Sequence, residues 1–159
     1  MASIPNKSHL HLACSPSQLA GALREAEDLC GRRGGALTPL RRQVLTFLLE
    51  SDRPIKAYDM LQRLRDDRSA KPPTIYRTLD FLIEMGLAHR IESLNAFVPC
   101  GHWDHGHAAV FLLCEGCGSA GELHAGETYK KLAQDVSSVN FKMRTAVIEV
   151  RGLCLACSS

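Results

Sequence analysis

The chain has 159 residues, 45% of them hydrophobic and 23% charged, with a formal net charge of +2. That length gives one domain or two small ones, and the balance excludes a disordered or fibrous chain. No apolar run is long enough to span a bilayer, and the opening MASIPNKSHLHLACSPS lacks the continuous apolar stretch of a signal peptide, so the expected location is cytoplasmic.

Residues 1–14 read as a flexible arm. Ser15-Pro16 opens a first helix, serine as cap and proline just inside, with Leu19, Leu23, Ala26 and Cys30 on one face as far as Arg32. Gly34-Gly35 ends it, and Thr38-Pro39 repeats the start signal for a second helix, striped by Leu40, Val44, Phe47 and Leu48 and ending near Ser51. A third helix is expected from Ala57 to Asp66, with Leu61 and Leu64 inward. The fourth, Pro73 to Met85, should bury Ile75, Leu79, Leu82 and Ile83 and stop at Gly86.

Two short alternating segments follow, Leu87–Ile91 and Ala96–Pro99, joined by Glu92-Ser93-Leu94-Asn95, which is a β-hairpin signature. Helices two to four with this hairpin make a winged helix-turn-helix over 15–99, preceded by one extra helix. After a hinge at 100–107, residues 108–159 read as a small α/β unit. Its expected elements are strands at Ala108–Leu113, Ala120–His124 and Phe141–Val150, and a helix at Gly126–Ser138 with Tyr129, Leu132, Ala133 and Val136 inward. The fold class is therefore α+β. So small a C-terminal unit calls for a structural metal or dimerisation.

The turn before the fourth helix aims its first residues outward, as in a recognition helix entering a major groove. Thr74, Tyr76 and Arg77 lie there, and Arg41, Arg42, Lys56, Tyr58 and Lys71 belong to the same half. Arginine can fork onto guanine O6 and N7, and the others can hold phosphates. Each basic residue taken singly is equally at home on a solvated helix face.

Seven cysteines in a chain expected in a reducing compartment point to metal rather than disulfides. Cys114-x-x-Cys117 and Cys154-x-x-Cys157 supply four thiolates, enough to close a tetrahedral structural zinc. A second set is open on spacing alone. His89, Cys100, His107 and Glu122 form either a borderline-soft zinc site or a surface histidine, a core cysteine and an ordinary glutamate. His102, Asp104 and His105 are either a third, weaker site or a solvated loop. Cys14 and Cys30 read as structural.

The run LTPLRRQVL, then AYDML, then KPPTIYRTLDFLIEMGLAHRIES, then the two CxxC pairs, resembles the ferric-uptake-regulator superfamily from about residue 17 onward. KPPTIYRTLDFL followed by AHRIES is most similar to its zinc-uptake regulators. The resemblance implies a homodimer of winged-helix and dimerisation domains that binds operator DNA. It also implies two zinc ions per subunit, one structural at Cys114, Cys117, Cys154 and Cys157, one regulatory at His89, Cys100, His107 and Glu122. For DNA it points to Tyr58 and Arg77. Iron-type members carry HHHDH before the first CxxC; here the run is HAAVF, His107 to Phe111, and a thiolate at Cys100 also favours zinc.

The expected function is therefore a zinc-responsive repressor of zinc-uptake genes, with no small-molecule substrate and no membrane partner. The alternative is a regulator of the same superfamily answering another metal, or peroxide through thiol chemistry. A zinc hydrolase or deaminase would need HExxH, or HxE with PCxxC, and neither occurs, so no enzyme is expected.

Overall fold

Ser15 starts the first helix, α1 (Pro16–Arg32), and its backbone N–H donates to the Gln18 side chain at 3.0 Å, half of a capping box. At the other end Gly34, at φ +74°, turns the chain so that the Gly35 N–H reaches the Cys30 carbonyl at 2.8 Å. The computed structural model describes residues 13–65, 70–101, 103 and 109–158. Most of the expected arm and most of the 100–107 hinge lie outside the described residues. The third helix, expected to reach Asp66, instead ends at Arg63, because Leu64 at φ −103° and ψ 11° already leaves the helical conformation. Cys14, at the arm's end, donates its N–H to the Leu49 carbonyl at 2.6 Å.

Helices α2 (Pro39–Leu49), α3 (Ala57–Arg63) and α4 (Pro72–Glu84) follow, α2 and α4 opening on prolines whose missing N–H costs nothing in a first turn. Leu23, Ala26, Leu29, Val44, Leu45, Leu48, Met60, Leu64, Ile75, Leu79 and Leu82 converge into one core. Two expected inward residues differ. Ile83 is exposed while Thr78 is buried, because the core-facing stripe of α4 runs Ile75, Thr78, Leu79, Leu82 and leaves Ile83 beyond its edge. Leu61 is only half-buried, and Met60 fills the space beside Leu64.

The hairpin is β1 (Ala88–Ile91) and β2 (Ala96–Pro99), joined by a 3-10 turn at Glu92–Leu94 that closes on Asn95 at φ +47°. Alternation splits its two faces. Ala88 and Phe97 join the helical core, and an isolated bridge from Ile55 to Phe97 ties the hairpin to the α2–α3 connection. On the other face Ile91 and Val98 pack in a second cluster with Ala109, Phe111, Leu113 and Ala120.

Those last four belong to a three-stranded sheet of β3 (Ala109–Cys114), β4 (Ala120–His124) and β5 (Ile148–Gly152), ordered β4-β3-β5 with β4 antiparallel and β5 parallel to β3. The crossover between β4 and β5 contains α5 (Gly126–Ser138). Tyr129, Leu132, Ala133 and Val136 share the inner face of α5 as expected, yet are only half-buried. Tyr129 donates its hydroxyl hydrogen toward the Ala109 and Ala146 carbonyls, each at 3.0 Å. The expected strand at Phe141–Val150 is a correction: residues 141–147 are irregular and the strand starts at Ile148, where β3 first offers a partner in the register Val110↔Ile148. Alternation alone does not make a strand without a neighbour to bond.

Candidate metal centres and nucleic-acid face

At the far end of β3 and β5 the chain turns twice and places a cysteine pair in each turn. Cys114 ends β3, and Gly118, at φ +74°, returns its N–H to the Cys114 carbonyl at 2.9 Å. Past β5, the N–H groups of Cys157 and Ser158 both reach the Cys154 carbonyl at 2.9 Å. The Glu115 N–H to the Gly152 carbonyl, 2.8 Å, holds the turns together. The sulfurs of Cys114, Cys117, Cys154 and Cys157 all lie within 4.8 Å of one another, with Cys117 and Cys154 at 3.9 Å. A zinc–sulfur bond of about 2.3 Å in a tetrahedron separates its sulfurs by roughly 3.8 Å, so the set has the spacing that zinc requires. Gly116 is part of that geometry, because a Cβ there would sit 2.8 Å from Cys157 Cβ and 2.9 Å from its sulfur.

The protons of the cluster point the same way. The Cys114 thiol is lowered to about 6 by N–H groups of Cys117 and Cys154, and Cys117 is lowered by the Ser119 hydroxyl at 3.0 Å. Cys157 is raised to about 12 by the neighbouring Cys154 and Cys114 sulfurs. Such a cluster accepts negative charge readily at first and then resists it, and a bound divalent cation removes that resistance.

The second set sits where hairpin and sheet meet. His89 lies on the same hairpin face as Ile91 and Val98, so alternation turns it toward β3. Its ring is 5.1 Å from that of Phe111, and its Nε2 is 3.8 Å from Glu122 Oε2. Cys100, directly after β2, has its N–H on the Leu87 carbonyl at 2.9 Å. Glu122 accepts the Gly101 N–H at 2.8 Å. One donor atom each of His89, Cys100 and Glu122 lie within 4.8 Å of one another, and the Glu122 side chain is only 1% exposed. A buried carboxylate oxygen beside a thiol and an imidazole is a mixed oxygen, sulfur and nitrogen donor set that suits a borderline-soft cation. His107, the expected fourth ligand, lies outside the described residues, as do His102, Asp104 and His105.

On the helical half, Tyr58 (67% exposed), Tyr76 (47%) and Arg77 face outward with Lys56 and Lys71, and Thr74 is half-buried at the mouth of the same surface. Thr74, Arg77 and Thr78 face Thr38, Leu40 and Arg41 across a hollow of about 260 Å³ between the starts of α2 and α4. Two expected phosphate contacts are otherwise engaged. Arg41 stacks 3.4 Å over the Phe81 ring and bonds the Ala36 carbonyl, and Arg42 pairs with Glu27.

The description of the ferric uptake regulator family matches residues 32–151. The chain belongs to that family. Within it, the chain is 40% identical over 137 residues to the zinc uptake regulation protein of Escherichia coli K12, covering 85% of this chain and 80% of that protein. It is similar to a zinc uptake regulator solved in complex with zinc and DNA, with a TM-score of 0.83 at 39% identity over 88% of this chain and 95% of that one. It is similar to the holo form of XcZur, at 0.81 and 38% over 87% of this chain and 97% of that one. The apo form of XcZur gives only 0.50 at 36% identity, over 90% and 99%.

Some contacts around the candidate sites and between the elements carry no sequence signal. Ser119, next to the first pair, reads as a loop serine. Glu149 reads as one polar position in an alternating strand, yet its carboxylate crosses to the hairpin turn and accepts the N–H groups of Glu92 at 2.7 Å and Ser93 at 3.3 Å. Arg33, just past the end of α1, donates to the Met85 carbonyl at 2.6 Å and the Trp103 carbonyl at 3.4 Å. Such long-range partners become visible only once the chain is folded.

Proposed function

We propose that this chain is a zinc-responsive transcriptional repressor of zinc-uptake genes, which binds palindromic operator DNA as a homodimer when its regulatory site is filled. It is a regulator, not an enzyme, and its expected location is the cytoplasm; among the described residues no helix is long and apolar enough to cross a membrane. The observation that carries the reading is the meeting of His89 and Cys100 from the hairpin with Glu122 from the sheet. The relatives named above support it: one is a zinc uptake regulator with zinc and DNA.

Two ions per subunit fit the donors. Cys114, Cys117, Cys154 and Cys157 would hold the structural zinc, and His89, Cys100, His107 and Glu122 the regulatory one. Bound there, zinc supplies the positive charge that lets the Cys100 thiolate and the Glu122 carboxylate lie side by side in a buried place. The rest is done by the chain. β1 carries His89 and is continuous through Leu87 and Gly86 with α4, so fixing His89 against Glu122 fixes the direction of α4. Arg77 and Tyr76 at the start of α4 would read base edges, and Tyr58, Lys56 and Lys71 would hold phosphates. We divide the chain into an arm at 1–14, a winged-helix domain at 15–99, a hinge at 100–107 and a dimerisation domain at 108–159. The dimer is supported by exposed Val139, Phe141, Val147, Val150, Leu153 and Leu155, and by the half-covered inner face of α5.

Selection of duplexes from a random-sequence pool with zinc, then with chelator, tests the reading. The expected result is a two-fold symmetric site enriched only with zinc, its half-sites about 34 Å or a multiple apart. Enrichment by peroxide treatment, or by manganese but not zinc, would assign the protein to another sensing chemistry.

A further inference from the structure

The metal-site contact and the Glu149 contact are two ends of one row across the sheet. Phe111 on β3 is paired with Glu122 on β4 and with Glu149 on β5, and directly paired residues project from the same face. That row meets the hairpin at three points. Glu122 reaches His89 and the Gly101 N–H, Phe111 lies against the His89 ring, and Glu149 takes the Glu92 and Ser93 N–H groups at the opposite end of β1. β1 is only four residues long, so a hairpin held at its turn has little freedom left at His89.

We propose that Glu149 is a positioning residue for the regulatory metal site: it clasps the hairpin turn to β5 and so presents His89 and Cys100 to Glu122. The clasp uses no metal ligand. It therefore raises the fraction of molecules whose ligands are already assembled, and the apparent metal affinity scales with that fraction. Once the site is filled, the ligands hold the hairpin themselves and the clasp adds little. The carboxylate stays ionised where it grips the turn. Although burial opposes its charge, the Ser93 hydroxyl and the Ser93 and Glu92 N–H groups, with Arg151 nearby, lower its pKa below 4.5. The inference rests on the zinc-regulator reading for its effect on DNA, but the clasp itself can be read without DNA.

The test compares the parent with Glu149→Ala and with Glu149→Gln, which keeps one acceptor oxygen. Zinc is buffered, and two quantities are read on a selected operator duplex: the free zinc at half-maximal binding, and the affinity at saturating zinc. Glu149→Ala should move the half-point to about fivefold higher free zinc, Glu149→Gln less, while the saturated affinity stays within about twofold of the parent. An unmoved half-point, or a saturated affinity that falls in step with it, overturns the proposal, the latter making Glu149 a fold or DNA-contact residue. Hydrogen exchange at the Glu92 and Ser93 amides in protein without added zinc provides the second reading. Both amides should be protected in the parent and released in Glu149→Ala, and equal exchange in the two proteins overturns the clasp. A parent that binds DNA without regard to zinc would sink the regulator reading and leave the exchange result to decide the clasp.

Discussion

Gly116 shows how much of the four-cysteine cluster rests on one missing side chain. Its Cβ position is 2.8 Å from Cys157 Cβ, whereas a Cβ at Gly152, also beside the cluster, would meet nothing within 4 Å. Gly116→Ala should therefore release zinc to a competing chelator at least tenfold faster than the parent, and Gly152→Ala should not. Equal release from both would mean that the turn yields to the methyl group. Glu149 gives a pH expectation with a definite sign. Its folded pKa lies below 4.5, so its contribution is complete above that value and is lost as pH falls through the lowered one. The charges around it are Arg151 on its own strand and, on the hairpin, Glu92, which pairs with Arg90 at 3.4 Å. Protection of the Ser93 amide should thus be flat from neutral pH to about 5 and weaken only in more acid solution, once intrinsic exchange is divided out. Loss of protection between about pH 8 and 6 would contradict this.

At the scale of elements, α4 carries both stability and recognition on opposite faces. Leu79 is fully buried and Arg77 is exposed, two residues apart. Leu79→Ala should cost about 2–5 kcal/mol of unfolding free energy by denaturant titration. Arg77→Ala should leave that free energy unchanged within about 0.5 kcal/mol and instead reduce discrimination between operator and random duplex by about 1–3 kcal/mol. A uniform loss on all duplexes would make Arg77 a phosphate contact. These helices are legible in the sequence because their start signals are local: Ser15-Pro16, Thr38-Pro39 and the prolines at 72 and 73 act within one turn. The hairpin is legible from alternation with a polar joint. Residues 141–147 alternate just as well but have no partner strand among the described residues, and periodicity carries no information about partners. Ile83 misleads for a related reason, since a stripe has an edge whose position is set by the helices packed on it.

For the whole molecule, the hairpin is the shared part. One of its faces belongs to the helical core and the other to the sheet, so α4 and the cysteine cluster are joined through few residues. The cysteine pairs announce a metal by type and spacing alone. The second site is not decided by spacing, because nothing in the sequence says that His89 and Glu122 meet; the resemblance names that set, and the fold brings three of its members together. Glu149 has neither signal. Cys100→Ser is expected to fold and dimerise as the parent does, since Cys100 lies outside the four-cysteine cluster, and to lose only the response to zinc. The most direct measurement is therefore operator affinity against buffered free zinc for parent and Cys100→Ser, with melting temperature and mass in solution followed alongside. The parent's affinity should rise steeply with zinc while that of Cys100→Ser stays flat, at the same mass throughout and at the same melting temperature before zinc is added. A variant whose affinity still climbs with zinc would contradict the claim that an ion shared between hairpin and sheet sets the DNA-binding arrangement.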